Sequence, residues 1–175
     1  MSVSIIPLFN KIDKDNSLNK ENLYKIAPKS LQVSEQILID DNWVGAKSVG
    51  ICTGSGTFSD PFVIQDLILI GNGTGTGISI GNSKNVYFRI ENCSIFNFTI
   101  GIRLAISCNG TLLNNNCSNN EIGIYLDGWI DIPNPTPEMV AQCYCMNNTV
   151  SNNFISKNED YGIYCRGGPG GPPGE

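Results

Sequence analysis

A tetrapeptide of the form Gly-Ile-x-aliphatic recurs along the chain. It stands at Gly77-Ile78-Ser79-Ile80, Gly101-Ile102-Arg103-Leu104 and Gly123-Ile124-Tyr125-Leu126, and in degraded form at Gly162-Ile163-Tyr164-Cys165. The glycines are 24, 22 and 39 residues apart. Two of these intervals match one coil of a solenoid, which takes about 22 residues, and the third holds an excess of about 17. Within each unit the apolar residues alternate, the period of a strand with one buried face. Stacked coils therefore align Ile78, Ile102, Ile124 and Ile163 in one inward column, and Ile80, Leu104, Leu126 and Cys165 in the next. One coil cannot bury its own inward face, so coils must stack and the stack must be capped.

A second strand-like stretch precedes each glycine, at residues 63–70, 86–90, 111–113 and 149–150. Asparagines follow at comparable positions, Asn92, then residues 114–116, then Asn152 and Asn153, where the chain has to turn. Asparagine tolerates the left-handed conformation of a sharp corner, and stacked amides bond from coil to coil. The alternative use of these amides is to bind a polar ligand. The fold class expected is all-β: a single-stranded right-handed parallel β-helix over residues 37–167, with coils of 22 to 24 residues. Its hand follows from the general bias of parallel crossovers. A loop insertion falls at about residues 129–145, where Pro133, Pro135 and Pro137 forbid ladder pairing. Residues 1–36, with Lys11, Lys14, Lys20, Lys25 and Lys29 and a short helical pattern at Leu18, Leu23 and Ile26, are expected to cap the first coil. Residues 168–175 are nearly all Gly and Pro and read as a disordered tail.

The net charge is −5, and the 11 basic residues are scattered rather than gathered into a stripe that would neutralise phosphates. Nucleic acid is therefore not an expected partner. No apolar run approaches the roughly 18 residues of a membrane span. The run Ile5-Ile6-Pro7-Leu8-Phe9 is too short, and lacks the basic flank, to be a signal peptide. Seven cysteines lie at irregular intervals and no histidine exists. They form neither a disulfide framework nor a zinc-ligand pattern, and are expected to pack as small hydrophobes.

Residues 50–64, GICTGSGTFSDPFVI, are similar to the motif that leads NosD-like right-handed parallel β-helix proteins into their first coils. Val86-Tyr87-Phe88-Arg89-Ile90-Glu91-Asn92-Cys93 resembles their recurring strand-plus-corner unit. The relatives meant are archaeal and bacterial surface proteins, and the resemblance covers residues 37–165. It implies an extracellular or cell-surface location and carries a copper association. Copper here needs soft ligands, and the candidates are Cys143, Cys145 and Met146. A metal protein is not expected from these residues, and no cofactor is expected, except Ca2+ if the chain were a lyase.

Polysaccharide hydrolases and lyases are common among β-helices, so an enzyme is one reading. Its candidate groups are Asp66, Glu91, Arg89 and Arg103, and no acidic cluster accompanies the arginines in sequence. The other reading is a non-catalytic module that binds carbohydrate or acts as a spacer. Tyr87, Arg103, Tyr125 and Tyr164 are its candidate ligand-binding residues, with Tyr125 and Tyr164 in one outward column beside Ser79 and Arg103. Six Asn-x-Ser/Thr sequons, at Asn72, Asn92, Asn97, Asn109, Asn116 and Asn147, fit an exported protein and also arise by chance in an Asn-rich solenoid. The non-catalytic reading is favoured, with a polysaccharide or cell-surface glycan as partner. An open solenoid end additionally invites end-to-end self-association.

Overall fold

The computed structural model of the chain describes residues 31–33, 36–129, 136 and 144–167, with side chains from Gln36 onward. Three parallel sheets form the sides of a coiling chain. The long sheet stacks β2 (Ile37–Asp40), β5 (Thr76–Gly81), β8 (Ile100–Ala105), β10 (Ile122–Asp127) and β12 (Tyr161–Arg166) in that order. The second sheet stacks β3 (Phe62–Gln65), β6 (Phe88–Glu91), β9 (Gly110–Leu113) and β11 (Thr149–Ser151). The short sheet holds β1 (Leu31–Val33), β4 (Leu67–Ile70) and β7 (Ser94–Phe96), and continues as single bridges from Ser94 to Asn116 and from Asn116 to Phe154.

The register of the long sheet reproduces the columns expected from the tetrapeptide and extends them to Ile37 and Ile39 of β2. Ile78, Ile80, Ile102, Leu104 and Ile124 are fully buried. The repeated glycine sits where successive coils come closest. A Cβ on Gly77 would meet the Gly101 carbonyl oxygen at 2.9 Å, one on Gly101 the Gly123 oxygen at 2.5 Å, and one on Gly123 the Gly162 oxygen at 2.6 Å. None of these glycines has a positive φ, so the backbone approach excludes a side chain, and no special backbone angle is involved.

Four features differ from the sequence expectation. The stretch 63–70 is two strands, because Asp66 takes φ 57° and turns the chain from the second sheet to the short one. Parallel pairing starts at Leu31, ahead of the boundary at Ile37. A short helix, α1 (Trp43–Ser48), interrupts the first coil and seats Trp43 flat on Phe62, with ring centroids 5.0 Å apart, and against Phe88 at 5.2 Å. The inward column also loses cover at its last coil, where Ile163 is 48% exposed because no further described strand lies over it. The capping segment over residues 1–30, the tail from residue 168 and most of the insertion lie outside the described residues.

The asparagines divide by position. Asn92, Asn114 and Asn152 share the Asp66 corner at φ 54–55°. The residue after each of the last two turns inward: Asn115 Oδ1 accepts the Cys93 N–H (3.0 Å) and its Nδ2 donates to the Ile90 carbonyl (2.8 Å). Asn153 bonds in the same way to Asn115 N–H and the Leu112 carbonyl, and Asn120 and Asn158 repeat the pattern at the next corner. These inward amides hold coil to coil, the use expected of corner asparagines. Beside them, Ser83 and Ser107 donate to carbonyls at the end of their own long-sheet strands, Gly81 and Ala105. Cys145 takes the next rung, its thiol reaching the Asp127 and Leu104 carbonyls (3.3 and 3.4 Å). The coil is therefore back in register by Cys145. Among the described residues no helix is long and apolar enough to cross a membrane.

Candidate functional site

On the outer face of the long sheet one column runs Leu38, Ser79, Arg103, Tyr125, Tyr164, and the column beside it runs Asp40, Gly81, Ala105, Asp127, Arg166. Tyr125, Tyr164 and Arg103, singled out from sequence, do come together. The Tyr125 and Tyr164 rings lie 5.1 Å apart, and Tyr161, exposed at the start of β12, stacks on Tyr164 at 4.9 Å. The guanidinium carbons of Arg103 and Arg166 stand 5.8 and 6.0 Å from the Tyr125 ring centre, within cation–π range.

Asp127 fixes both arginines. Its wholly buried carboxylate accepts Arg103 Nη2 at 2.6 Å and the Arg166 fork, Nε at 2.9 Å and Nη2 at 3.1 Å, while the Trp129 N–H completes the set at 3.2 Å. Two-pronged arginine–carboxylate pairing fixes direction as well as distance. The sequence shows no acidic cluster beside Arg103; the structure gives it a single carboxylate, one coil along and one column over. Burial penalises the Asp127 charge, but the bonds from Arg166, Arg103 and the Trp129 N–H outweigh it and hold the carboxyl below the ordinary range. Burial, with the Asp127 charge adding to it, pushes the Tyr125 phenol up, so this hydroxyl stays protonated at neutral pH.

A depressed carboxyl adds stability above its unfolded pKa, about 3.9, and that contribution disappears as pH falls through the lower folded value. The melting temperature of the protein should therefore exceed that of Asp127→Asn most above pH 5, with the gap closing in stronger acid. A gap independent of pH would refute the depressed carboxyl.

The remaining sequence candidates are dispersed. Arg89 and Glu91 pair with each other at 3.4 Å on the second sheet, and Asp66 lies at the corner beyond that sheet's first strand. Neither shares a face with Arg103, so the four do not form one acid–base site. Tyr87, placed with the ligand-binding tyrosines from sequence, belongs instead to the approach to β6, edge-on to the exposed Phe58 at 5.4 Å.

Of the soft-metal set, the structure describes two members. Cys143 lies outside the described residues, Cys145 turns its thiol inward onto carbonyls, and Met146 is exposed. Burial raises the Cys145 thiol and carries Cys93 to about 11 and Cys117 to about 12, so these sulfurs stay protonated. No group of three His, Cys, Asp or Glu among the described residues is placed to hold a metal ion.

A profile described as "Right handed beta helix region" matches residues 34–171. The chain belongs to the right-handed β-helix family. Neither the curated proteins nor the solved structures contain a match to this β-helix. Arg166 and Tyr161 of the β-helix site escaped the sequence reading, as did the pairing of the acidic residue Asp127 with the arginines. The signal was available: one more residue on either side of the tetrapeptide alignment brings Asp127 over Arg166 and Ile122 over Tyr161.

Proposed function

We propose that this β-helix is a non-catalytic carbohydrate-binding module of a surface or exported protein, and that it binds glycan across the outer face of β8, β10 and β12. The observation that carries this reading is the run of neighbouring rings Tyr125, Tyr164 and Tyr161, the first pair tilted and the second stacked, beside two guanidinium groups held by one buried carboxylate. Aromatic faces take the C–H face of a sugar ring, and fixed guanidinium donors take its hydroxyl or carboxylate oxygens. Asp127 is a poor candidate for hydrolysis, since its oxygens are engaged by Arg103, Arg166 and the Trp129 N–H and it is closed to solvent. Glycoside cleavage wants two carboxyl groups about 5 to 9.5 Å apart across one groove. The NosD-like affiliation and an extracellular or cell-surface location belong to the same proposal, supported by the lead-in sequence at residues 50–64.

Affinity electrophoresis through plant, microbial and host polysaccharides tests it. Retardation by at least one glycan is expected, with about tenfold weaker binding for Tyr125→Ala and for Tyr164→Ala and no new reducing ends. Retardation that survives both substitutions would move the site elsewhere. No retardation by any glycan would leave only the spacer role.

A further inference from the structure

We propose that Asn72 is the acceptor of an N-linked glycan, a step that rests on the exported-protein reading above, and that the folded chain offers this sequon to a lipid-linked oligosaccharide donor in preference to the other five. An Asn-x-Ser/Thr sequence is an acceptor only where a transferase can seat the asparagine and the hydroxyl together, which demands a surface loop.

The residues between β4 and β5 make such a loop. Ile70 pairs with Phe96 and Thr76 with Ile100, so residues 71–75 turn the same corner that residues 97–99 turn on the next coil, five residues against three. The corner is anchored by its glycines. Gly71 N–H donates to the Phe96 carbonyl (2.9 Å), Gly73 N–H donates to the Asn97 carbonyl (2.7 Å), and the Gly75 carbonyl accepts the Ile100 N–H (3.0 Å). Gly73 and Gly75 take φ of 88° and 74°, a conformation that glycine enters freely. Asn72 and Thr74, between these anchors, are left exposed. Thr74 Oγ1 donates to Asn72 Oδ1 at 2.8 Å. That bond sets both sequon side chains on one side of the loop and leaves Asn72 Nδ2, the atom that takes the sugar, without a partner among the described residues.

The other sequons are tied into the coil. Asn97 and Asn109 donate their Nδ2 to the Gly71 and Lys84 carbonyls, at 2.8 and 3.3 Å. Asn92 and Asn116 precede the buried Cys93 and Cys117. Their hydroxyl residues are no freer, since Ser94 is paired on both sides and Ser118 is buried. Asn147 and Thr149 are exposed, but Asn148 between them is a rung of the amide ladder, accepting the Gly110 N–H at 2.8 Å and donating to the Ser107 carbonyl at 2.9 Å, and Thr149 opens β11. Presenting any of these five means opening a coil locally and breaking its rungs. Presenting Asn72 means seating a loop that already stands out from the stack.

The transfer is a substitution at the sugar's anomeric carbon. Asn72 Nδ2 bonds to C1 of the first sugar, the C1–O bond to the lipid pyrophosphate breaks, the pyrophosphate leaves with the bonding electrons, and one amide proton passes to a base of the transferase.

The test gives the purified, folded chain to a single-subunit oligosaccharyltransferase with a polyprenyl-pyrophosphate oligosaccharide, and reads intact mass and peptide maps. A gain of one glycan, at Asn72, is expected. Asn72→Gln and Thr74→Ala, both at exposed side chains, should lose it with the circular dichroism spectrum unchanged, and Thr74→Ser should keep it. Synthetic peptides of the other five sequons should also be accepted; a set in which only the Asn72 peptide is taken would put the choice in the sequence and overturn the role given to the fold. No gain on the folded chain, or equal occupancy at Asn92 or Asn147, would overturn the proposal outright. Export is bypassed in this assay, so its failure strikes the site alone, and the exported-protein reading stands or falls on where the protein is found in its own cells.

Discussion

Gly101→Ala is expected to destabilise the fold by about 3 kcal/mol or more, at the upper end of overpacking costs, and to lower the melting temperature by about 6 to 12 °C. The added methyl group would lie 2.5 Å from the Gly123 carbonyl oxygen and 3.0 Å from Asn120 Nδ2. The first is backbone, fixed by the next coil's ladder, and the second is a buried amide already bonded to the Ile95 carbonyl. Neither can retreat without parting two coils. Gly162→Ala is the internal control: it occupies the same column, but its methyl group would meet only Ile155 Cγ2, at 3.4 Å, so a change within about 0.5 kcal/mol is expected. Thermal melts of the two variants decide the matter. Equal losses would mean that glycine is used there for a reason other than the approach of the next coil.

Asn115→Leu should cost a similar amount, about 3 kcal/mol, by a different route. The substitution keeps approximate volume but removes the acceptor of the Cys93 N–H and the donor to the Ile90 carbonyl, at a side chain that is 1% exposed. A buried polar group left unpaired costs about 1 to 3 kcal/mol, and two are created. The neighbouring Asn114 has φ 55° and an exposed side chain, so Asn114→Gly should be neutral or slightly stabilising, because glycine adopts that conformation freely. Urea unfolding midpoints of the pair separate the two roles of adjacent asparagines. A tolerated Asn115→Leu would show that the inward amides are dispensable to coil stacking.

The tetrapeptide made the long sheet legible because its strands are six residues long and keep one alternation through four units. The short sheet was much less so. Its strands are three or four residues and shrink to single bridges at Asn116 and Phe154, too little for a period to show. The break at Asp66 was hidden inside a run of apolar residues, where one left-handed acid leaves no periodic trace. Trp43 and α1 were not foreseen because a six-residue helix with two buried side chains, Trp43 and Ala46, has almost no helical pattern to read. At the site, the tyrosine column followed from shared position in the repeat. The Arg–Asp–Arg clasp did not, since it joins Asp127 to one arginine a coil back in the adjacent column and to another a coil on in its own column, and the intervals between units differ.

Asn115 reaches back 22 residues to the Cys93 N–H, and Asn153 reaches back 38 to the Asn115 N–H, through the same atoms. The ladder thus joins coils by contact and is indifferent to how much chain runs between them. Closing a longer excursion costs little, about 0.6 kcal/mol for each doubling of its length. The stretch between Trp129 and Tyr144 is accordingly the position at which this scaffold can exchange one appendage for another, of different size and chemistry, while every rung on either side keeps its partner.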